Sequence, residues 1–138
     1  MNMDQKVSEI MSTNVHSVKL TDNLHRAIRL IRKHKIRHLP VVDGKQIAGI
    51  ISSTDLNRLT FGGIFDNQDS SDEAILEMLS IPQVMTSKPR TVNVNNTVTE
   101  VAEIFVKEGF HAMPVVENDV LAGIVTTTDV IKFMLGKK

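Results

Sequence analysis

The stretches AGIISSTD, residues 48–55, and AGIVTTTD, residues 122–129, are one short pattern written twice in the same chain. In each, apolar and β-branched residues lead into three hydroxyl side chains and an aspartate. Apolar β-branched runs favour strands, whereas hydroxyl and carboxylate side chains favour helix starts, because they accept hydrogen bonds from the free N–H groups there. Each stretch is therefore predicted to be a strand that runs directly into a helix.

The pattern is part of a longer internal repeat. A shift of 74 positions aligns residues 7–59 with residues 81–133 without a gap, and 11 of the 53 aligned positions are identical. Unrelated sequences of ordinary composition would share about three. We therefore expect a single module over residues 1–138, with a first repeat at 7–59, a connecting loop and short helix at 60–80, and a second repeat at 81–135.

Each copy is predicted to have the order β-α-β-β-α. The first strand is expected at His16–Lys19 and at Arg90–Val94. The helix that follows has apolar residues at helical spacing, which are predicted to face the core: Leu24, Ala27, Ile28 and Ile31 in the first copy, and Val98, Val101, Ala102 and Phe105 in the second. Thr21 or Asp22 is expected to cap the first of these helices, and Asn95 or Asn96 the second. A hairpin at Leu39–Val42 and Gln46–Ser52, turning at Asp43-Gly44, and a final helix complete the first copy.

These predictions give the fold class α/β, with mixed helices and strands (α+β). One unit of about 50 residues buries only a marginal core. We therefore expect two tandem units packed as a pseudo-two-fold pair.

The composition excludes several classes of chemistry. The chain has no cysteine, which removes disulfides, thiolate nucleophiles and cysteine-type zinc sites, and it has no long apolar run near its first residue. Both features fit a soluble cytoplasmic protein. The sequence also lacks a nucleophile elbow, a Walker loop, a dinucleotide-binding fingerprint and the HExxH motif, so no catalytic residue and no catalytic cofactor is predicted.

The two halves of the chain have opposite charge. Residues 1–60 contain ten basic and five acidic residues, and residues 61–138 contain six basic and eleven acidic residues. A nucleic-acid surface is one interpretation of the basic first helix and its exit, but the chain has no tyrosine or tryptophan to stack on bases. We favour a solvated polar face over a nucleic-acid partner for the residues Arg26, Arg29, Arg32, Lys33, Lys35 and Arg37.

The repeated pattern also carries candidate ligand-binding groups. A helix start attracts phosphate, and the hydroxyls of Ser52, Thr54, Thr126 and Thr128 would add donors there. The carboxylates of Asp55 and Asp129 would accept hydrogen bonds from the cis-diol of a ribose. The competing interpretation is that Ser53, Thr54, Thr127 and Thr128 only cap helices while the aspartates complement the helix dipole.

At these residues the chain resembles the tandem CBS (cystathionine β-synthase) domain pair, the Bateman-type module. The family signature of glycine, hydroxyl and aspartate is matched by Gly49, Ser52 and Asp55 and again by Gly123, Thr126 and Asp129. The strands HLPVV and AMPVV match its second hallmark.

The resemblance implies a regulatory module without catalysis, which binds AMP, ADP, ATP or S-adenosylmethionine in clefts between the two repeats. It places Ile36 and Phe110 beside the base, and Arg37, His38 and His111 toward phosphate. It also implies a homodimer, and an unidentified protein target is expected. No membrane partner is expected, because the longest apolar runs have only a few residues. The alternative is a structural dimerisation and protein-interaction module whose clefts stay empty.

The five histidines do not predict a metal site. His34 and His38 are four residues apart, as two ligands on one helix would be. However, the helix is expected to end near Lys35 and His38 to begin a strand, so the two rings need not converge.

Overall fold

The computed structural model describes residues 4–59 and 73–137. The longest helix in this described part has 11 residues, well short of the roughly 20 that span a bilayer. In chain order the elements are a short 3₁₀ helix at Val7–Glu9, β1 (Val18–Lys19), α1 (Leu24–His34), β2 (His38–Asp43), β3 (Gln46–Ser52), α2 (Ser53–Asn57), α3 (Glu73–Met78), α4 (Ile81–Val84), β4 (Thr86–Ser87), β5 (Val92–Asn93), α5 (Val98–Glu108), β6 (Ala112–Glu117), β7 (Val120–Thr126) and α6 (Thr127–Met134).

The chain forms two compact units, one from residues 16–89 and one from residues 1–15 together with 90–138. In the first unit β1 is parallel to β2, β2 is antiparallel to β3, and β4 pairs with the other edge of β3. In the second unit β5 is parallel to β6 and β6 is antiparallel to β7. The predicted α/β class and the β-α-β-β-α order of each copy are confirmed.

Each unit has its own hydrophobic core beneath its first long helix. The predicted inward positions Leu24, Ala27, Ile28 and Ile31 of α1 are all buried. On α5, Val98, Val101 and Phe105 are buried, and Ala102 is half-buried against the same core. The strand-to-helix junctions close these cores, with Leu56 in the first unit and Val130 in the second.

The predicted N-caps of the two long helices are wrong by one or two residues. Asn23 caps α1, its side chain accepting a hydrogen bond from the N–H of Arg26 at 2.9 Å. Asp22 instead accepts from the N–H of Lys19 at 2.8 Å, in the turn before the helix. Thr97 caps α5 and exchanges hydrogen bonds with Glu100, while Asn96 accepts from the N–H of Asn93. A run of consecutive polar residues does not specify which of them caps the helix, because each side chain can accept a hydrogen bond from a nearby N–H.

Between the repeats, the predicted short helix is present as α3, and the predicted loop before it lies outside the described residues. Residues 81–89 continue with α4 and β4, which the sequence did not predict. In the hairpins, the turn after β2 places Gly44 at φ +65°. The equivalent turn after β6 places Asn118 and Asp119 at φ +51° and +66°.

The beginning of each repeat packs in the unit that holds the other repeat. Val7, fully buried, belongs to the core of the second unit, and its equivalent Ile81 belongs to the core of the first. Ser12 pairs with Ile124 of β7, as the equivalent Thr86 pairs with Ile50 of β3. Neither compact unit is therefore one continuous repeat.

This exchange explains why the repeated pattern contains a glycine. A Cβ at Gly123 would lie 2.7 Å from the carbonyl oxygen of Ser12 and 2.7 Å from the sulfur of Met11. A Cβ at Gly49 would meet the side chain of Met85 and the carbonyl oxygen of Thr86. The glycine lets the exchanged segment approach the strand closely, with the methionine lying over it.

We expect Gly123→Ala to lower the free energy of unfolding by about 1–3 kcal/mol, the usual cost of overpacking. The backbone carbonyl of Ser12 would have to move, and its hydrogen bond from the N–H of Ile124, 3.0 Å long, would weaken. Urea unfolding measures the change. Val120→Ala, at a more exposed position on the same strand, is the control, and equal stability of wild type and Gly123→Ala would contradict the close approach.

Candidate functional site

The two strand-to-helix junctions share one hydrogen-bond geometry. In the first, the hydroxyl of Ser52 accepts from the N–H of Asp55 at 3.0 Å, and Oδ2 of Asp55 accepts from the N–H of Ser52 at 3.0 Å. In the second, Thr126 and Asp129 make the same pair of bonds at 3.1 and 2.9 Å. Each aspartate is therefore fixed by a reciprocal capping box at the first turn of its helix.

The capping residues are not those that the sequence suggested. Ser52 and Thr126, the last residues of the strands, are the N-caps. Thr54 and Thr128 are exposed on the first turn, and Ser53 is buried as the first helical residue. The helix begins one residue earlier than a cap at Ser53 would allow, because Ser52 both pairs with His38 at the end of the strand and caps the helix.

The residue that precedes each hairpin lies beside the helix start. The N–H of Ser53 donates to the carbonyl oxygen of Arg37 at 2.8 Å, and the N–H of Thr127 donates to that of His111 at 3.0 Å. The side chains of Arg37 and His111 are both exposed. The structure thus brings Arg37 together with Ser52 and Asp55 in one unit, and His111 with Thr126 and Asp129 in the other.

One carboxylate oxygen of each aspartate is left over from the capping box. Oδ1 of Asp55 lies 3.9 Å from a guanidinium nitrogen of Arg58, an exposed pair one helical turn on. Oδ1 of Asp129 has no hydrogen bond to any residue in the described part of the chain. A fixed carboxylate with a free oxygen can accept two hydrogen bonds from a ligand without rearranging.

Asp129 borders a cavity of about 800 Å³ inside the second unit. Typical small-molecule sites have volumes of roughly 300–1,000 Å³. The wall combines apolar side chains from α6 and the exchanged N-terminal segment with charges of both signs. Its lining includes Glu9, Ile10, Met11, Ser12, Asp129, Lys132, Phe133, Met134 and Lys137.

Two residues that the family resemblance places beside a base are half-buried. Ile36 packs against the core of the first unit. Phe110 packs against the core of the second and meets Phe105 edge-on, with ring centroids 6.2 Å apart. His38, also half-buried, lies opposite Ser52 in the hairpin register.

The histidines are not arranged as metal ligands. His34 ends α1 and stacks on His16, with ring centroids 3.6 Å apart and planes 12° from parallel, while His38 begins β2. Loss of hydration and the neighbouring His16 lower the pKa of His34. Within residues 4–59 and 73–137, no three histidine, cysteine or acidic side chains are grouped so that they could hold a metal ion.

Sequence reasoning missed the residues that the exchanged segment brings to the cavity. Ser12 and Met11 lie more than a hundred residues before Asp129 in the chain, and the pairing of Ser12 with Ile124 helps to make them neighbours. Phe133 carried a signal, since it follows Asp129 by four residues and must share its helix face. Lys132 carried another, since the equivalent of this position in the first repeat is the basic Arg58.

The model of one protein family, the CBS domain, matches this chain twice, at residues 7–61 and 81–136. The solved CBS domain pair of protein MJ0100, in complex with 5′-methylthioadenosine and S-adenosyl-L-methionine, is similar to it with 27% identity and a TM-score of 0.75. That similarity covers 97% of this chain and 98% of the MJ0100 chain. A match to one family thus accounts for both the repeated sequence and the repeated fold.

Among curated proteins, YlbB of Bacillus subtilis is 28% identical over 90% of this chain and 78% of its own length. Other relatives are longer, and the chain spans between 14% and 46% of several of them. One is an inosine-5′-monophosphate dehydrogenase of Korarchaeum cryptofilum, 28% identical over 91% of this chain and 24% of its own length. Sequences similar to this chain therefore occur both in small proteins and as parts of larger enzymes.

We expect Ser52→Ala and Thr126→Ala each to lower the free energy of unfolding by about 0.5–2 kcal/mol, because each removes an N-cap acceptor. Thr128→Ala is the matched control, since Thr128 is exposed and its side chain has no hydrogen bond within the described residues. Denaturant unfolding of the three variants checks this. Equal losses in all three would show that the capping boxes do not stabilise the helix starts.

Proposed function

The chain belongs to the CBS domain family, and on that premise we propose that it is a regulatory module that senses an adenine nucleotide and catalyses nothing. The observation that carries the proposal is that Asp129 lines a cavity of about 800 Å³ and that its Oδ1 has no hydrogen-bond partner within residues 4–59 and 73–137. A ribose offers two neighbouring hydroxyl donors, and a carboxylate oxygen held in place accepts them at low entropic cost.

Four features near Asp129 suit the phosphate end of the same ligand. The N–H of Thr128, the second residue of α6, has no acceptor within its own helix, because a first turn offers none. The positive end of the helix dipole lies there as well. His111, whose carbonyl holds the helix start, and Lys132 on the cavity wall supply cationic or donor side chains.

The first motif differs from the second in its charges. Asp55 has Arg58 beside it, and Arg37 takes the place that His111 has in the second repeat. An arginine guanidinium can donate two parallel N–H groups to one phosphate, whereas an imidazole ring cannot. We therefore propose that the first motif forms another ligand position, which binds anions more strongly than the position at Asp129. Its residues are Ser52, Thr54, Asp55, Arg37 and His38.

The candidate ligands are chosen by the two groups that the motif is proposed to contact, the ribose and the base. Adenosine compounds share the base and the ribose, and they differ only at the 5′ position. MJ0100 is a relative bound to two of them, 5′-methylthioadenosine and S-adenosyl-L-methionine. AMP, ADP, ATP and S-adenosylmethionine are accordingly the four ligands to test, with Ile36 and Phe110 proposed to contact the base.

Isothermal titration calorimetry with these four ligands tests the proposal on wild type, Asp55→Asn and Asp129→Asn. Asparagine keeps one side-chain oxygen for the capping box and removes the charged acceptor. A hydrogen bond to a charged group contributes about 1.5–3 kcal/mol, so loss of one ribose contact should raise Kd roughly 10- to 150-fold.

Glu103→Gln is the control, because it removes one charge from an exposed position on α5, outside the proposed site. A rise in Kd in only one of the two aspartate variants identifies the occupied motif. Equal affinities in wild type and both variants would refute the ribose assignment. No binding of any of the four ligands would favour the alternative, a structural interaction module with empty clefts.

We further propose that the chain forms a homodimer. Three large apolar side chains of the last helix region are more than half exposed, Ile131 at 55%, Met134 at 54% and Leu135 at 65%. Residues 131 and 135 are one helical turn apart, so they share a face. A clustered apolar face on an otherwise charged surface is typical of an interface.

Analytical ultracentrifugation of Ile131→Asp tests the homodimer. A charge on the apolar face should weaken association by at least about tenfold, because it would be buried without a partner. Val120→Asp, an exposed apolar position outside α6, serves as the control. A wild-type chain that sediments as a monomer at high concentration would contradict the proposal.

A further inference from the structure

The exchanged segment at the beginning of the first repeat is attached to the rest of the second unit at two points. At the first point, the N–H of Val7 donates to the carbonyl oxygen of Asn96 at 2.7 Å. At the second point, Ser12 and Ile124 exchange two backbone hydrogen bonds, 2.9 and 3.0 Å long. Residues 5–12, which we call the strap, are therefore fixed near both ends.

Between these two attachments the strap forms part of the cavity wall. Glu9, Ile10 and Met11 line the cavity together with Asp129 and other residues of α6. Ile10 and Met11 are half-buried and also pack against the hydrophobic core of the same unit. One side of the candidate ligand site is therefore a separate segment of the chain, remote in sequence from the helix that carries Asp129.

The strap has little structure of its own. Its regular part is a 3₁₀ helix of three residues, Val7–Glu9, and so short a helix depends on tertiary contacts. Among residues 5–12, Val7 is the one whose side chain is fully buried. Segments with few buried contacts open at low free energy while the rest of a domain stays folded. The strap is therefore the part of the cavity wall that can detach while α6 and β7 stay in place.

We infer that docking of the strap is coupled to occupancy of the cavity, so that the strap is the element through which a bound ligand changes this protein. The inference rests on the proposed function and adds its regulation. A ligand on Asp129 that also contacts the strap binds the docked form more tightly than the detached form, and this difference shifts the population toward the docked form. Because such coupling is reciprocal, a loosened strap must weaken ligand binding.

Amide hydrogen exchange measures the effect of the ligand on the strap. The reporters are the amides of Val7 and Ser12, because each donates to a carbonyl oxygen outside the strap. The probes are AMP and S-adenosylmethionine, added to the Asp55→Asn chain so that only the motif at Asp129 keeps its carboxylate. A probe at a hundred times its Kd should slow the exchange of both amides by up to about a hundredfold, the limit reached when only the docked form binds.

The corresponding segment of the first unit, residues 81–89, is the internal control. The N–H of Lys88 donates to the carbonyl oxygen of Ala48 at 3.2 Å, so that its exchange reports on this segment. In the same Asp55→Asn chain, a probe bound at Asp129 should slow the exchange of the Lys88 amide at least about tenfold less than that of the Val7 amide.

A substitution that loosens the strap tests the reciprocal effect. Val7 does not line the cavity, and Val7→Ala removes buried methyl groups that hold the strap. Calorimetry on the Asp55→Asn chain should show Kd raised by about threefold or more, because the detached fraction does not bind. Ile81→Ala is the matched control, since Ile81 is the equivalent residue, fully buried in the core of the first unit. It should leave Kd unchanged. The exchange measurement needs no substitution in the strap, so it decides the question even if Val7→Ala fails to fold.

The outcomes separate the coupling from the function proposed above. If neither probe binds, the proposed function and the coupling are both wrong. If a probe binds with a Kd that depends on Asp129 but leaves the exchange of the Val7 and Ser12 amides unchanged, the ligand site stands and the coupling is wrong. Equal slowing at Val7, Ser12 and Lys88 would also overturn the coupling, because it would show a general stabilisation of the chain.

Discussion

The reciprocal pair of hydrogen bonds between a strand-ending hydroxyl and an aspartate three residues later holds each strand-to-helix junction together. It satisfies the third N–H of the helix and the N–H of the cap residue with one short segment of chain. The same bonds fix the carboxylate through one of its oxygens and leave the other oxygen outside the capping box. The group that stabilises the fold and the group proposed to bind ribose are therefore the same side chain, and the capping and ligand interpretations of the aspartates do not exclude each other.

The second constraint is the exchange of segments between the repeats. Because Val7 and Ile81 are buried in the cores of the opposite repeats, neither repeat makes a complete unit from its own contiguous residues. The segment that begins the chain also forms a wall of the cavity beside Asp129. Removal of this segment would therefore damage the second unit and its cavity, although the segment belongs in sequence to the first repeat.

Much of the fold was predictable, because it is written twice. The repeat, the inward positions of both long helices and the hairpin strands followed from spacing and from residue type, and Gln46–Ser52 is observed with the predicted bounds.

The N-caps of α1 and α5 were not predicted correctly, because several adjacent polar residues could each accept a hydrogen bond. The exchange was also missed, although the identities Met11 with Met85 and Gly49 with Gly123 were visible. Both identities reflect one kind of long-range contact, in which a methionine sulfur packs against a glycine of a strand, and a local sequence pattern does not specify such a contact. At the candidate site, the sequence and the family resemblance named the aspartates and the residues before each hairpin, whose ligand roles stay predictions. They did not name the remote cavity wall.

The two repeats have opposite charges on the exposed faces of α1 and α5, although their strand-to-helix motifs are alike. The hydroxyl and aspartate residues of the strand-to-helix junctions keep their type in both copies, as expected if hydrogen bonding constrains them, while exposed positions of α1 and α5 change sign. The most direct measurement of the ligand site is a crystal structure of the chain grown with AMP or S-adenosylmethionine. We predict that Oδ2 of Asp129 keeps its hydrogen bond to the N–H of Thr126 while Oδ1 accepts from the ribose hydroxyls. A ligand bound elsewhere, with Asp129 in contact only with water, would contradict this function for the repeated motif.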